Sequence, residues 1–146
     1  ASRGLGDVYK RQLVTGIAGI SENIHINGII DRYLEHSRIF IFANGGEEKY
    51  YIGSADWMPR NLDNRIEVLA PVYDKEIQAD LKRIVCYGYR DTAKGRIVDG
   101  TGENRPWENQ PSTLCKDFTP ALAEAETATV VFRSQEELYR KYKNTL

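Results

Sequence analysis

The feature that most constrains the fold is a β-hairpin signature at residues 38–55. "RIFIFA" is rich in Ile and Phe and predicts a largely buried strand, and "KYYIGSA" predicts its partner. Between them stands "NGGEE", a strong turn signal, because Asn-Gly favours the backbone geometry of tight hairpin turns. The sequence therefore predicts two antiparallel strands at the centre of the domain.

Helical and strand patterns flank this hairpin. Upstream, "SENIHINGIIDRYLEH" (residues 21–36) predicts a helix that Ser21 caps, although Gly28 weakens it. Downstream, "IEVLAPVY" predicts a strand with Pro71 at its far edge, and "DKEIQADLKRIVCYGYR" predicts a helix that Asp74 caps.

The remainder of the chain is more mixed. "AKGRIVDG" and "ETATVVFRS" have strand-like patterns, "GTGENRPWENQPS" is typical of a loop, and "SQEELYRKYKN" predicts a capped helix that begins near Ser134. The elements together predict an α/β or α+β domain. Residues 1–12, "ASRGLGDVYKRQ", have no sustained period and are interpreted as a foreign or disordered N-terminal segment, which leaves 13–146 as the domain.

Composition excludes several classes of function. The chain has 146 residues and a net charge of -1, so no global field draws it to nucleic acid or an anionic membrane. It has no apolar run long enough to span a bilayer. Cys86 and Cys115 are the only cysteines and lack a metal-ligand spacing, so we expect two free thiols in a reducing cytoplasm and no structural zinc.

A group of polar residues converges on His36, which lies where the predicted helix meets the first hairpin strand. A short turn brings the open ends of two antiparallel strands together, so Ser54 and Asp56 are expected near His36 and Arg38. The segment that follows adds further charges and an amide: Arg60, Asn61, Asp63, Arg65 and Glu67.

These residue types suit a phosphoryl group. Its transfer depends mostly on positioning and charge stabilisation, histidine can act as nucleophile, acid or base, and the arginine fork matches phosphate oxygens. A plainer interpretation stays open for each residue. Asp56 and Asn61 could shape the turn after the strand, Arg65 and Glu67 could form an ordinary ion pair, and Trp57 and Met58 are expected in the core.

The residues also resemble a known family. "SENI", "LEHSR", "NGG" and "SADWMPRNLDNRIE", in this order between about Leu13 and Asp74, closely resemble the C-terminal domain of bacterial polyphosphate kinase, the ATP-polyphosphate phosphotransferase. "RIVDGTGENR" and "RSQEELY" fit the tail of that family more loosely.

The resemblance implies a fold, an activity and a set of site residues. The fold is a phospholipase D-like α/β sandwich half, with a central β-hairpin and flanking helices. His36-x-Arg38 looks like a degenerate H-x-K motif, and Gly53 to Asp56 like a degenerate G-S-x-N. By the resemblance, His36 is a catalytic residue that contacts the nucleotide phosphates, while Arg65 and Glu67 match an R-x-E pair beside the ATP and phosphate site.

The family's first-half domain, with the histidine that takes the γ-phosphate of ATP and the residues that bind Mg²⁺, has no counterpart in this chain. We therefore expect a fragment that is inactive alone and whose partners are ATP, polyphosphate, the missing upstream domains and further copies of itself. Two alternatives stay open. One is a stand-alone module that binds polyphosphate or nucleotide without turnover, and the other is a phospholipase D-like phosphodiesterase, which Arg38 in place of lysine disfavours.

Overall fold

A computed structural model describes residues 14–99, 103–107, 115 and 131–143 of the chain. This part is mixed α/β. The strands are β1 (Asn27–Ile29), β2 (Ile39–Phe42), β3 (Lys49–Gly53), β4 (Leu69–Val72) and β5 (Gly95–Ile97), and the helices are α1 (Pro59–Leu62), α2 (Lys75–Tyr89) and α3 (Ser134–Lys143). The chain forms two units, the first containing residues 1–32, 87–112 and 122–146 and the second residues 33–86 and 113–121.

The predicted hairpin is confirmed in the second unit. β2 and β3 pair antiparallel, with Ile39 opposite Ile52 and Phe42 opposite Lys49. Asn44, Gly45 and Gly46 connect the strands with φ values of 43°, 67° and 106°, a left-handed region that asparagine and glycine enter at low cost. The "NGG" turn signal therefore has a direct physical basis.

β4 completes the antiparallel sheet of the second unit, in the order β2-β3-β4. The predicted strand at "IEVLAPVY" is thus confirmed over Leu69–Val72. Pro71 lies opposite Tyr51 on this edge strand, where a missing N–H donor is tolerated.

Helix α2 begins where the sequence predicts. The Asp74 carboxylate accepts the backbone N–H groups of Glu76 (2.9 Å) and Ile77 (3.0 Å), the pattern of an N-cap. Helix α3 also begins at Ser134 as predicted. The Ser134 hydroxyl, however, donates to the buried Asp91 carboxylate (2.7 Å), which also accepts the Ser134 N–H (2.8 Å).

The helix predicted over residues 21–36 is wrong. Turns occupy residues 18–23, and β1 then pairs antiparallel with β5 in the first unit. The Asn27 side chain reinforces this pairing, since its Nδ2 donates to the Gly88 carbonyl (3.0 Å) and its Oδ1 accepts the Arg96 N–H (3.1 Å). Ser21 is no helix cap: its hydroxyl donates to the Val14 carbonyl at 2.8 Å. Long-range pairing has overridden the local helical pattern.

The cysteines also differ from the prediction of two free thiols. Cys86 and Cys115 form a disulfide within the second unit, with their Cα atoms 5.5 Å apart. Both residues are buried. The sequence could not show this pairing, because 29 positions separate the two cysteines and nothing in their spacing brings them together.

Several predictions remain untested. The N-terminal segment 1–12 lies outside the described residues, as does most of the strand predicted at "ETATVVFRS", and residues 131–133 form no regular element. The short strand predicted at "AKGRIVDG" is confirmed as β5. In the described part of the chain, none of the helices is both long and apolar enough to cross a membrane.

Gly28 provides a test of the corrected element. A Cβ added there would lie 2.9 Å from Val98 Cγ2, and the branched Val98 side chain is buried. We expect Gly28→Ala to lower the free energy of unfolding by about 1–3 kcal/mol through overpacking. In a helix the same change would stabilise by about 1 kcal/mol. Urea unfolding measures the difference.

Gly88 in α2 is the matched control, because a Cβ there would make an ordinary 3.4 Å contact with Ile29 Cδ1. Gly88→Ala should be neutral or stabilising, as expected within a helix. A stabilising effect of both substitutions would contradict the strand at Gly28.

Candidate functional site

The candidate site lies at the open end of the hairpin, where β2 begins and β3 ends. The Gly53 N–H donates to the Arg38 carbonyl (2.9 Å), which continues the ladder beyond the first residue of β2. Arg38 also joins the two flanking segments through its side chain. Its Nε donates to Asp56 Oδ1 (2.9 Å), and its Nη1 donates to the His36 carbonyl (2.9 Å). Of the predicted contacts, the structure shows Asp56 beside Arg38 and Arg38 on the His36 backbone, whereas the Ser54 hydroxyl bonds to Glu67.

His36 itself is exposed, and its imidazole makes no hydrogen bond to the residues that the structure describes. Arg38 binds its backbone and leaves the ring untouched. The catalytic role of His36 stays a prediction.

The second part of the site is a cluster around the Glu67 carboxylate, the Glu67 cluster, made of Ser54, Asn61, Arg65 and Glu67. The Ser54 hydroxyl donates to Glu67 Oε2, and Asn61 Nδ2 donates to Oε1 at 3.1 Å. Arg65 Nε lies 3.6 Å from Oε1. Both carboxylate oxygens thus have a partner, and the acid holds a defined orientation.

Exposure differs sharply across this cluster. The Glu67 side chain is 14% exposed, whereas that of Arg65 is 65% exposed. Asn61 is buried, although it lies in the short helix α1 between the exposed Arg60 and Leu62. The cluster therefore presents a cation to solvent and keeps its carboxylate and amide inside.

The surroundings of Glu67 lower the pKa of its carboxyl group. The largest cause is the Ser54 hydrogen bond, followed by that from Asn61; partial burial opposes them, and the positive charges of Arg65 and Arg38 add to the decrease. Each of the favourable contacts is stronger with the ionised acid. Glu67 is consequently a carboxylate at neutral pH.

Not every polar residue of the segment joins the site. Arg60 Nε approaches Asn61 Oδ1 only at 3.4 Å. The Asp63 N–H donates to the Pro59 carbonyl (2.8 Å), but its carboxylate makes no hydrogen bond or ion pair among the described residues. The core positions predicted for Trp57 and Met58 are wrong, because they are 76% and 39% exposed. Trp57 stacks on Phe40 instead, with ring centroids 5.6 Å apart.

The sequence places Ser54 and Asn61 in the polar group around His36, but it does not predict that both donate to Glu67. The Ser54 contact could have been found from strand register. Gly53 pairs with Leu69, so Ser54 lies opposite Val68, the neighbour of Glu67 in sequence. Asn61 gave no such signal. Its burial depends on the turn of α1, which neither spacing nor polarity predicts.

A groove of about 890 Å³ lies elsewhere in the second unit, lined by residues 46–51, 71–73, 75, 78 and 82. Two of its charged groups, Lys82 and Glu48, form an ion pair. Lys82 Nζ donates to Glu48 Oε1 (2.9 Å), and the Tyr50 hydroxyl donates to Glu48 Oε2. Burial and this carboxylate raise the pKa of Tyr50. These contacts connect α2 to the hairpin, and the groove contains none of the predicted site residues.

Comparison with known proteins identifies the class. The family model for "Polyphosphate kinase C-terminal domain 2" matches residues 10–116. The polyphosphate kinase of Thermosynechococcus vestitus is 44% identical over 115 residues, which cover 78% of this chain and 14% of that protein. The Escherichia coli K12 polyphosphate kinase is 46% identical over 93 residues, or 64% of this chain and 14% of that protein.

A solved structure agrees. The crystal structure of polyphosphate kinase from Porphyromonas gingivalis matches with a TM-score of 0.65 and 35% identity, over 86% of this chain and 17% of that chain. The chain is thus a mixed α/β domain of the C-terminal type. It belongs to the polyphosphate kinase family, and it spans 14% of the length of the two relatives described above.

The Glu67 contacts predict a pH dependence. Because the folded-state pKa lies below the unfolded value, Glu67 contributes stability that is complete above the unfolded pKa and lost as pH falls through the folded one. The difference in unfolding free energy between wild type and Glu67→Gln should therefore shrink as the solution is acidified. Urea unfolding over a pH series measures it, and a difference that stays constant would show that the contacts do not favour the ionised acid.

Proposed function

We propose that this chain supplies ATP- and polyphosphate-contacting residues to a polyphosphate kinase that transfers the terminal phosphate of ATP reversibly to polyphosphate. Membership of the family supports the reaction. The proposed role of this chain is based on the exposed Arg65 guanidinium. It lies beside the Glu67 carboxylate, whose two oxygens both accept hydrogen bonds.

Arg65 suits a phosphate for geometric reasons. Its planar fork offers parallel N–H donors to two phosphate oxygens, and charge-assisted bonds of this kind are about twice as strong as neutral ones. The 3.6 Å separation from Glu67 and the 65% exposure leave donors directed to solvent. A phosphate can bind without breaking the cluster behind the arginine.

His36 is proposed to meet the same phosphates. A ring N–H can donate to a phosphate oxygen, and the imidazole can hold or release a proton as charge moves in the transfer. The Arg38 side chain restrains the loop that contains His36, because it donates a hydrogen bond to the His36 carbonyl. Since Arg38 is already paired with Asp56, we assign it to positioning rather than to phosphate binding.

The family resemblance implies a phospholipase D-like sandwich, Mg²⁺ in the complete enzyme, and homo-oligomers. A cytoplasmic location is also proposed, although the two free thiols on which that expectation was based form a disulfide between Cys86 and Cys115. The described residues contain no group of three or more His, Cys, Asp or Glu that could hold a metal. Ile66, 99% exposed, lies beside the Glu67 cluster and suits a face that another domain or copy covers. Sedimentation at increasing concentration tests self-association.

Arg65→Ala tests the phosphate contact. We expect the variant to bind inorganic tripolyphosphate about tenfold more weakly than wild type at low salt, since it lacks the charged fork. Isothermal titration calorimetry measures the affinity. Arg140→Ala is the matched control, because it removes an equally charged and 68% exposed arginine from α3. Equal losses in both variants would show a non-specific charge effect.

Turnover should be absent from the isolated chain. The phosphohistidine that the family resemblance implies lies in a domain without a counterpart here, so the purified chain is expected to form no polymer from ATP. Radiolabelled ATP, labelled at the terminal phosphate, tests this prediction. Label in acid-stable polymer would overturn it. If a longer protein that contains this sequence also binds tripolyphosphate but forms no polymer, a stand-alone binding module is favoured instead.

A further inference from the structure

We infer that Ser54 and Asn61 are positioning residues that fix the Glu67 carboxylate and, through it, aim the Arg65 guanidinium at phosphate. The inference rests on the proposed function of Arg65. It assigns to these two residues a role in ligand binding that neither performs by direct contact. Its basis is the hydrogen bonding inside the Glu67 cluster.

Strand pairing determines the location of Ser54. Its N–H donates to the Val68 carbonyl (3.1 Å), and its hydroxyl oxygen accepts the Val68 N–H (3.0 Å). The hydroxyl hydrogen then remains for Glu67 Oε2. Since Ser54 directly follows β3 and Val68 directly precedes β4, the sheet itself fixes this donor beside Glu67.

Asn61 acts on the other oxygen. The residue is only 2% exposed, and burying an amide is costly unless it is hydrogen-bonded. Its Nδ2 meets this need by donating to Glu67 Oε1 at 3.1 Å. The same oxygen is the one that Arg65 Nε approaches at 3.6 Å, so Asn61 sets the position of the atom on which the arginine depends.

Fixing both carboxylate oxygens matters because a long, exposed side chain such as that of Arg65 loses conformational entropy when it binds a ligand. A guanidinium already oriented by a fixed carboxylate loses less freedom on binding, and the affinity is correspondingly higher. If either donor is removed, the carboxylate can rotate and Arg65 loses its fixed partner. The net charge of the site is then unchanged, but the Arg65 guanidinium is no longer held in one orientation.

The first measurement needs no ligand. A carboxyl ¹³C NMR titration should show that Ser54→Ala and Asn61→Ala each raise the pKa of Glu67 towards its ordinary value, because each removes a donor to the ionised form. Ser54→Thr retains the hydroxyl and should leave the pKa low. An unchanged pKa in both alanine variants would overturn the inference.

The second measurement is a double-mutant cycle with inorganic tripolyphosphate. Ser54→Ala and Asn61→Ala should each weaken binding by roughly three- to tenfold, Ser54→Thr should restore it, and neither alanine change should weaken it further in an Arg65→Ala background. Full additivity would overturn the inference, since a structural role alone does not act through Arg65. If Asn61→Ala does not fold, the exposed Ser54 carries the cycle.

The outcomes separate the two claims. Binding that is lost in Arg65→Ala but unaffected by the Ser54 and Asn61 changes overturns the positioning role and leaves the proposed function intact. Absence of tripolyphosphate binding by the wild-type chain overturns the proposed function, and with it the assignment of a ligand to these residues.

Discussion

The arrangement of the site depends on the pairing of β3 with both of its neighbours. Along one edge, the Gly53 N–H bonds to the Arg38 carbonyl (2.9 Å), and along the other, the Ser54 N–H bonds to the Val68 carbonyl (3.1 Å). These bonds bring together three segments that are distant in sequence. A Cβ at Gly53 would crowd this crossing, because it would lie 3.0 Å from Phe40 Cε2 and 3.2 Å from Leu69 Cδ1.

Local signals predicted the parts of the fold that local physics controls. The hairpin, the Asp74 cap and the starts of α2 and α3 follow from turn chemistry, side-chain capping and periodicity. The structure of the region around Gly28 could not be predicted in this way, because its apolar spacing fits a helix. A distant partner, β5, pairs with it as a strand instead. The Cys86–Cys115 disulfide was not predicted for the same reason, because 29 positions separate its two cysteines. Asn61 and Glu67 are close in sequence, but their contact depends on how the chain turns at α1.

Two arginines of the site have similar sequence surroundings but different physical situations. Arg38 is 26% exposed, meets Asp56 through both Nε and Nη2, and donates to the His36 carbonyl. Arg65 is 65% exposed and has one long contact with Glu67. An arginine with its donors occupied stabilises the loop, whereas one with free donors can recognise a ligand. This difference in exposure and pairing distinguishes Arg38, which matches the degenerate H-x-K motif, from Arg65, which we propose binds phosphate.

Net charge alone would not attract an anion here. Among the candidate residues around the open end of the hairpin, the charges of Arg38, Arg60 and Arg65 balance those of Asp56, Asp63 and Glu67, and the whole chain carries a net charge of -1. In the proposed function, recognition of a phosphate therefore depends on where the donors point rather than on the sum of charges. Glu67 would repel a phosphate if it faced solvent, yet it is 14% exposed and both of its oxygens accept hydrogen bonds. In the role that we propose, the carboxylate orients the arginine at a limited cost in repulsion, and we expect such a site to be more sensitive to loss of orientation than to its net charge.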